Sequence, residues 1–153
     1  MPDQLIIRPA EAGDIAILVD FNIRMAWETE ERNLELETLT SGVRAILEDA
    51  ARGFYLVAEM AGKVVGSLMV TTEWSDWRNG DFWWVQSVYV QPESRNQGVF
   101  KALYEETRNR AVSTTGVCGC RLYVEKDNAG AQAVYLRLGL KETDYRLYED
   151  SFS

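Results

Sequence analysis

The stretch Trp83-Trp84-Val85-Gln86-Ser87-Val88-Tyr89-Val90 reads as a buried strand, and it runs through Pro92 into Arg95-Asn96-Gln97-Gly98, where a helix begins. That order narrows the possible folds sharply. Pro92 cannot continue a central strand. Gly98 permits a backbone conformation and a close approach that a side chain would block. A helix that leaves a strand and leads to another strand lays the two side by side and parallel. The turn also has a chemical consequence, because a helix start carries unpaired N–H groups and the positive end of a dipole, a setting that holds phosphate. The N–H groups from Asn96 to Lys101 can converge on a pyrophosphate, with Arg95 and Lys101 adding positive charge. Taken alone, an ordinary strand-to-helix connection reads the same way.

The rest of the chain supplies the partners. Leu5-Ile6-Ile7-Arg8-Pro9 reads as a first strand. Asp14 is placed to cap a helix carrying Ile15, Leu18, Val19, Ile23 and Ala26 at helical spacing. A second helix is expected over 39–51, with Val43, Ile46 and Leu47 inward and Gly53 as its stop. Residues 54–60 and 63–73 form a hairpin about Ala61-Gly62, followed by a polar, aromatic loop over 74–80 and the strand over 82–90. A helix over 98–114, a strand over 121–125, a helix over 129–138 with Gly139 at its end and a last strand over 145–149 complete the pattern. The order β-α-α-β-β-β-α-β-α-β predicts an α/β (α+β) mixed sheet with helices on both faces, in one domain over 1–153.

Composition removes several classes. The net charge of −8 disfavours a nucleic-acid binder and suits a cationic or amine substrate. Cys118 and Cys120 are the only cysteines and there is no histidine, so a four-ligand zinc site is excluded, no metal is expected and the thiols read as structural. No signal peptide is recognised before residue 5, and no apolar run nears the roughly 20 residues of a membrane span. The expectation is therefore a cytoplasmic protein without membrane contact. The missing histidine also removes Ser-His-Asp and Cys-His hydrolases, leaving acid–base work to Tyr, Glu, Asp, Lys, Cys or water.

A second segment, Asn128-x-x-Ala131-x-x-x-Tyr135-x-x-x-Gly139, follows about thirty residues after the turn. Asn128 suits a helix cap, and Ala131 and Tyr135, four apart, share a helix face. Together the two segments resemble the GNAT superfamily of acetyl-CoA-dependent N-acetyltransferases. Val90, Pro92, Arg95, Gly98 and Val99 match its first motif, and Asn128, Ala131, Tyr135, Gly139 and Leu140 its second. The element order is similar too, so the likeness covers essentially the whole chain. Phe100 stands where Gly or Ala is usual, and its side chain is expected to point into the sheet; Leu140 replaces a common Phe.

The resemblance implies a donor, acetyl-CoA, and a division of labour. The fourth and fifth strands would splay at a bulge, with pantetheine along the backbone of Val88, Tyr89 and Val90 and the Val88 N–H polarising the thioester. Arg95, Asn96, Gln97, Gly98, Val99, Phe100 and Lys101 would hold the pyrophosphate. Asn128 would contact pantetheine, and Tyr135 would protonate the departing thiolate. On the acceptor side, the base candidates are Glu28, Glu73 and Asp76, or water. Trp27, Trp74 and Trp77 are candidate walls of an amine pocket. Gln86 borders it but cannot act as a base, and Arg78 is a candidate partner for an acceptor carboxylate. The acceptor reads as a small cationic amine or a peptide or protein amine, and the exposed last strand suggests a homodimer. A CoA-binding sensor without turnover is the alternative. A nucleotide-binding domain is disfavoured, since no Lys-Ser/Thr follows the turn and no Gly-x-Gly-x-x-Gly occurs.

Overall fold

The computed structural model describes residues 4–153. The chain divides into two compact units, one ending at Leu122 and the other spanning Tyr123–Ser153. The first unit contains β1 (Leu5–Pro9), α1 (Ile15–Glu30), α2 (Leu36–Glu48), β2 (Gly53–Met60), β3 (Lys63–Ser75), β4 (Gly80–Val90), α3 (Val99–Ser113) and β5 (Val117–Arg121). The second contains α4 (Ala129–Arg137). The sheet runs β1-β2-β3-β4-β5, antiparallel as far as β4 and parallel between β4 and β5. This is the mixed α/β architecture that the order of apolar segments predicts.

Strand β2 explains why both faces are covered. Tyr55 and Val57 pack with Leu18 and Val19 of α1 and Val43 and Ile46 of α2. Leu56 and Ala58, one step out of phase, pack with Val99, Leu103 and Ala111 of α3. A strand buried on both faces must be apolar at successive positions rather than alternating, and residues 54–58 are.

Local corrections follow from tertiary contacts. Asp14 makes no side-chain cap for α1. Its buried carboxylate instead accepts from the Glu11 N–H at 2.7 Å and from Arg8, with Nη1–Oδ2 at 2.8 Å and Nη2–Oδ1 at 3.0 Å. Gly53 does not stop α2, which ends five residues earlier at Glu48; it opens β2 at φ +142°. Strand β3 continues to Ser75, so Trp74 lies on a strand rather than in a loop. Strand β5 forms earlier than the β-rich residues 121–125 suggest, because its pairing with β4 runs only from Val117 to Arg121. Gly119 suits that place, where an added Cβ would lie 2.9 Å from the Phe82 ring. Cys118 and Cys120, both on β5, are free thiols, the first exposed. No strand forms over 145–149, where Tyr145, Leu147 and Tyr148 are exposed.

The Arg8 pair makes stability depend on pH. Hydrogen bonding to Arg8, more than any other cause, holds the Asp14 carboxyl below its ordinary value of 3.8. A depressed folded-state value means that the stabilisation is present above the unfolded value near 3.8 and is lost as pH falls through the folded one. Asp14→Asn should therefore cost about 2 kcal/mol near neutral pH. Urea midpoints taken down to about pH 2 should fall less steeply for this variant than for the parent.

Candidate active site

Strand β4 has two unlike edges. Toward β3 it is paired along its length, except that Ser67 opposes Tyr89 while Met69 opposes Gln86. Two residues of β4, Ser87 and Val88, thus face the single residue Leu68, a β-bulge. Ser87 takes φ +50°, in the left-handed region. The extra residue reverses the side-chain alternation. Trp83 and Val85 belong to the core against α3, and Val88 and Val90 pack against that same core. Tyr89 instead meets Phe21 of α1, with ring centroids 5.1 Å apart.

Toward β5 the pairing stops at Trp84 with Arg121, so among the described residues of the first unit 85–90 pair with no strand on that side. The Gln91 N–H bonds the Val65 carbonyl of β3 at 2.8 Å. Backbone alternation then aims the groups of Val90 and Val88 at the open edge. The Val90 carbonyl accepts from Arg95 Nε at 2.9 Å.

The open edge leads into the turn. A 3-10 turn at Pro92–Ser94 precedes Asn96, at φ +63°, and Gly98, at φ +80°. Glycine adopts the Gly98 conformation without strain, and an added Cβ would meet nothing within 4 Å, so the space above it is open. Helix α3 begins at Val99, and Gly98 brings no side-chain cap. The Ala102 N–H is the first to reach back, to the Gly98 carbonyl at 3.0 Å. A helix start with no cap side chain and open space before it fits a diphosphate anion. Phe100 points inward, packing on the α3-side core with its ring 6.2 Å from Tyr104, so the residue that departs from the motif leaves the turn clear. Lys101 is exposed and lies 3.9 Å from Glu105. Gln97 Nε2 donates to the Glu93 carbonyl at 3.1 Å.

Arg95 is held by α1. Its Nη2 lies 3.2 Å from Glu28 Oε1 and 3.4 Å from Oε2, and its guanidinium carbon is 5.3 Å from the centre of the Tyr89 ring. Burial first, and the Glu28 carboxylate next, push the Tyr89 phenol above its ordinary range. Glu28, Tyr89 and Arg95 thus meet at the Val90 end of β4. Trp27, next to Glu28, is half exposed.

Glu73 belongs to the other end of the strand. It pairs across the sheet with Phe82 and holds Arg121 at 2.6 Å. Arg121 lies 3.6 Å from the Phe82 ring centre and Arg78 4.9 Å from it, which gives Arg78 a place in this cluster. Phe82 and Tyr89 are seven residues apart, roughly 20 Å along a strand. The structure does not bring Glu28 and Glu73 together, and one acceptor amine cannot use both. Asp76 sits in the β3–β4 turn, where its carbonyl accepts from the Asn79 N–H at 3.3 Å. Trp74 is 60% exposed and Trp77 86%, so neither is packed into the loop. Gln86 Nε2 donates to the Thr71 hydroxyl, which fixes its amide.

In the second unit, Asn128 caps α4, with its Oδ1 accepting from the Ala131 N–H at 3.1 Å. The helix ends in a Schellman motif: Leu140 N–H to Tyr135 O at 3.0 Å and Gly139 N–H to Leu136 O at 3.1 Å. This explains the spacing from Tyr135 to Gly139. Burial raises the Tyr135 phenol, so it keeps its proton at neutral pH.

Three residues that the sequence does not single out belong to this region: Asn22, Tyr55 and Ser87. The signal that was there is the interval between Val85 and Val88, where a step of three interrupts an apolar alternation of two. Among the described residues no group of three or more His, Cys, Asp or Glu is placed to hold a metal, and no helix is long and apolar enough to cross a membrane.

Comparison with known proteins gives the class to which this covered mixed sheet belongs, that of acetyltransferases. The family model described as Acetyltransferase (GNAT) family matches residues 19–140. A possible acetyltransferase from Clostridium difficile 630 is 43% identical, with 97% of this chain and 98% of that one covered at a TM-score of 0.90. The chain belongs to the GNAT acetyltransferase family. Two more distant structures share the fold. A predicted acetyltransferase with acetyl-CoA from Clostridium acetobutylicum is 20% identical, covering 96% of both chains at a TM-score of 0.80. An aminoglycoside N-acetyltransferase in complex with CoA is 15% identical, covering 100% of this chain and 98% of that one at 0.79. No curated protein matches the chain.

Proposed function

We propose that this acetyltransferase moves the acetyl group of acetyl-CoA directly to the primary amine of a small cationic acceptor. The observation that carries the reading is the open edge of β4 over residues 85–90, which leads to the uncapped start of α3 at Gly98. An extended amide-bearing arm matches such an edge by strand-like pairing, and a diphosphate matches the helix start. Acetyl-CoA has both parts and supplies an activated thioester carbonyl. The solved relative with acetyl-CoA supports that donor.

Within this reading, the backbone groups of Val88 and Val90 on the open edge hold the arm while those of Tyr89 between them face β3, and the Val88 N–H stabilises charge developing on the carbonyl oxygen. Residues Asn96 to Lys101 form the anion cradle. Arg95, engaged by Glu28 and the Val90 carbonyl, braces the turn and adds positive charge beside it. Asn128 starts the helix that carries Tyr135, and Tyr135 gives its proton to the leaving sulfur. The amine loses a proton as its nitrogen bonds the acetyl carbon. Glu28, at the Val90 end of β4, is the base we favour over Glu73 and Asp76. The net charge of −8 and the exposed Trp27 suit a cationic acceptor. The aminoglycoside specificity of one structural relative points to the same chemical class.

Two measurements test this. Acetyl-CoA at about 100 times its dissociation constant should add about 2.7 kcal/mol of stability, a rise of roughly 5–10 °C in Tm for a chain of this size. No rise would remove the donor assignment. A panel of amines, followed by release of free CoA thiol, should turn over fastest with small polyamines or amino sugars. Preference for a peptide amine would move the acceptor class, and binding without thiol release on any amine would leave a CoA-responsive module instead.

A further inference from the structure

The β4 bulge has a cost that something must hold in place. Ser87 sits at φ +50°, which a residue with a Cβ adopts only where its surroundings over-determine it. Beneath it lie two buried polar side chains that the proposed reaction does not use: Asn22 of α1, 8% exposed, and Tyr55 of β2, 3% exposed. Asn22 Nδ2 donates to the Leu18 carbonyl at 2.9 Å and to the Tyr55 hydroxyl oxygen at 3.2 Å. Tyr55 opposes Met69 across the sheet and Met69 opposes Gln86, the residue before Ser87, so the Tyr55 row meets β4 at the bulge, where Ser87 is a hydrogen-bonding neighbour of that same oxygen. A phenylalanine at 55 would fill the same core without a hydroxyl to desolvate, so the hydroxyl is retained at a cost in burial.

Helix α1 thus reaches β4 on both sides of Val88. Phe21 packs on Tyr89 just after it, and Asn22, acting through Tyr55, reaches Ser87 just before it. Such a grip fixes the direction of the intervening backbone. Moving the bulge by one residue would reverse which backbone groups meet the open edge.

We propose that Asn22, Tyr55 and Ser87 form a polar clamp that locks the bulge in register, which makes Asn22 and Tyr55 positioning residues for the Val88 N–H. The proposal rests on the acetyl-transfer reading for its catalytic consequence, while the clamp itself is a property of the fold.

Tyr55→Phe removes one oxygen and keeps the ring. In this variant the amides bonded to β3 around the bulge, that of Gln91 just past the end of β4 among them, should exchange with deuterium about tenfold faster, with β1–β2 amides unchanged. Turnover should fall about tenfold while KM for acetyl-CoA stays within about twofold, because the amide is displaced while the anion cradle is untouched. Ser87→Ala should produce the same loss, and the double variant should be no worse than either single one. Unchanged exchange in Tyr55→Phe overturns the clamp, and additive losses in the double variant overturn the link through Ser87. Faster exchange with undiminished turnover overturns the positioning role. A parent protein with no transferase activity would sink the proposed function instead, and the exchange comparison would still decide the clamp.

Discussion

Tyr135→Phe is expected to lower turnover about a hundredfold at neutral pH while leaving acetyl-CoA affinity within about twofold. A positioned general acid contributes on the order of 10²–10⁴ in rate, and the lower end applies because a thiolate leaves more readily than an alkoxide or amine. Tyr135 suits the task because burial holds its phenol above the usual range, so it stays protonated where amines begin to lose their protons. The change deletes one oxygen from a half-buried side chain on α4 and leaves the Asn128 cap and the Leu140-to-Tyr135 backbone bond in place. Steady-state rates with a fixed amine, beside direct titration of acetyl-CoA, separate the two effects. An undiminished rate would take the acid role from Tyr135, and equal losses in rate and affinity would make it a binding residue.

Gly53→Ala should cost about 4 kcal/mol, a large part of the 5–15 kcal/mol that holds a domain of this kind. A Cβ on Gly53 would lie 1.9 Å from the Val70 carbonyl oxygen and 3.0 Å from its carbon. Those atoms are backbone in the middle of the sheet, where Gly53 pairs with Thr71 and Phe54 with Val70, so neither side can yield without breaking the ladder. The strain of φ +142° adds to the overlap. Gly62→Ala, in the β2–β3 turn at φ +76° with nothing within 4 Å, is the control and should cost only about 1 kcal/mol. The difference between the two urea midpoints isolates the collision, and equal losses would show that the strands part easily there.

Much of this fold is legible in the residue pattern because it is written locally. The hairpin about Ala61-Gly62, the helix starting beside Gly98 and the α4 ending at Gly139 each carry their own punctuation. Where a non-local partner decides, the pattern misleads. Residues 121–125 have strand-like composition, yet β5 is the Gly-containing segment before them, because that is the part that fits against Phe82 and Trp83. Residues 145–149 have the same composition and form no strand. Asp14 looks like a cap, but Arg8, six residues away, claims its carboxylate. At the candidate site the turn was legible as a motif, whereas the separation of Glu28 from Glu73 was not. Both are acidic and both lie beside a tryptophan, and only the pairing along β4 assigns them to opposite ends of the strand.

The open edge of β4 also acts as a ruler. Five residue steps separate Val85 from Val90, at most about 17 Å at the usual rise per residue. One end of that length is set where β5 stops pairing, the other by the turn into α3. A molecule that touches both ends must therefore be extended rather than coiled. Its reactive group and its charge must also sit far apart, so compact acyl donors that carry their charge beside the acyl group cannot engage both ends at once.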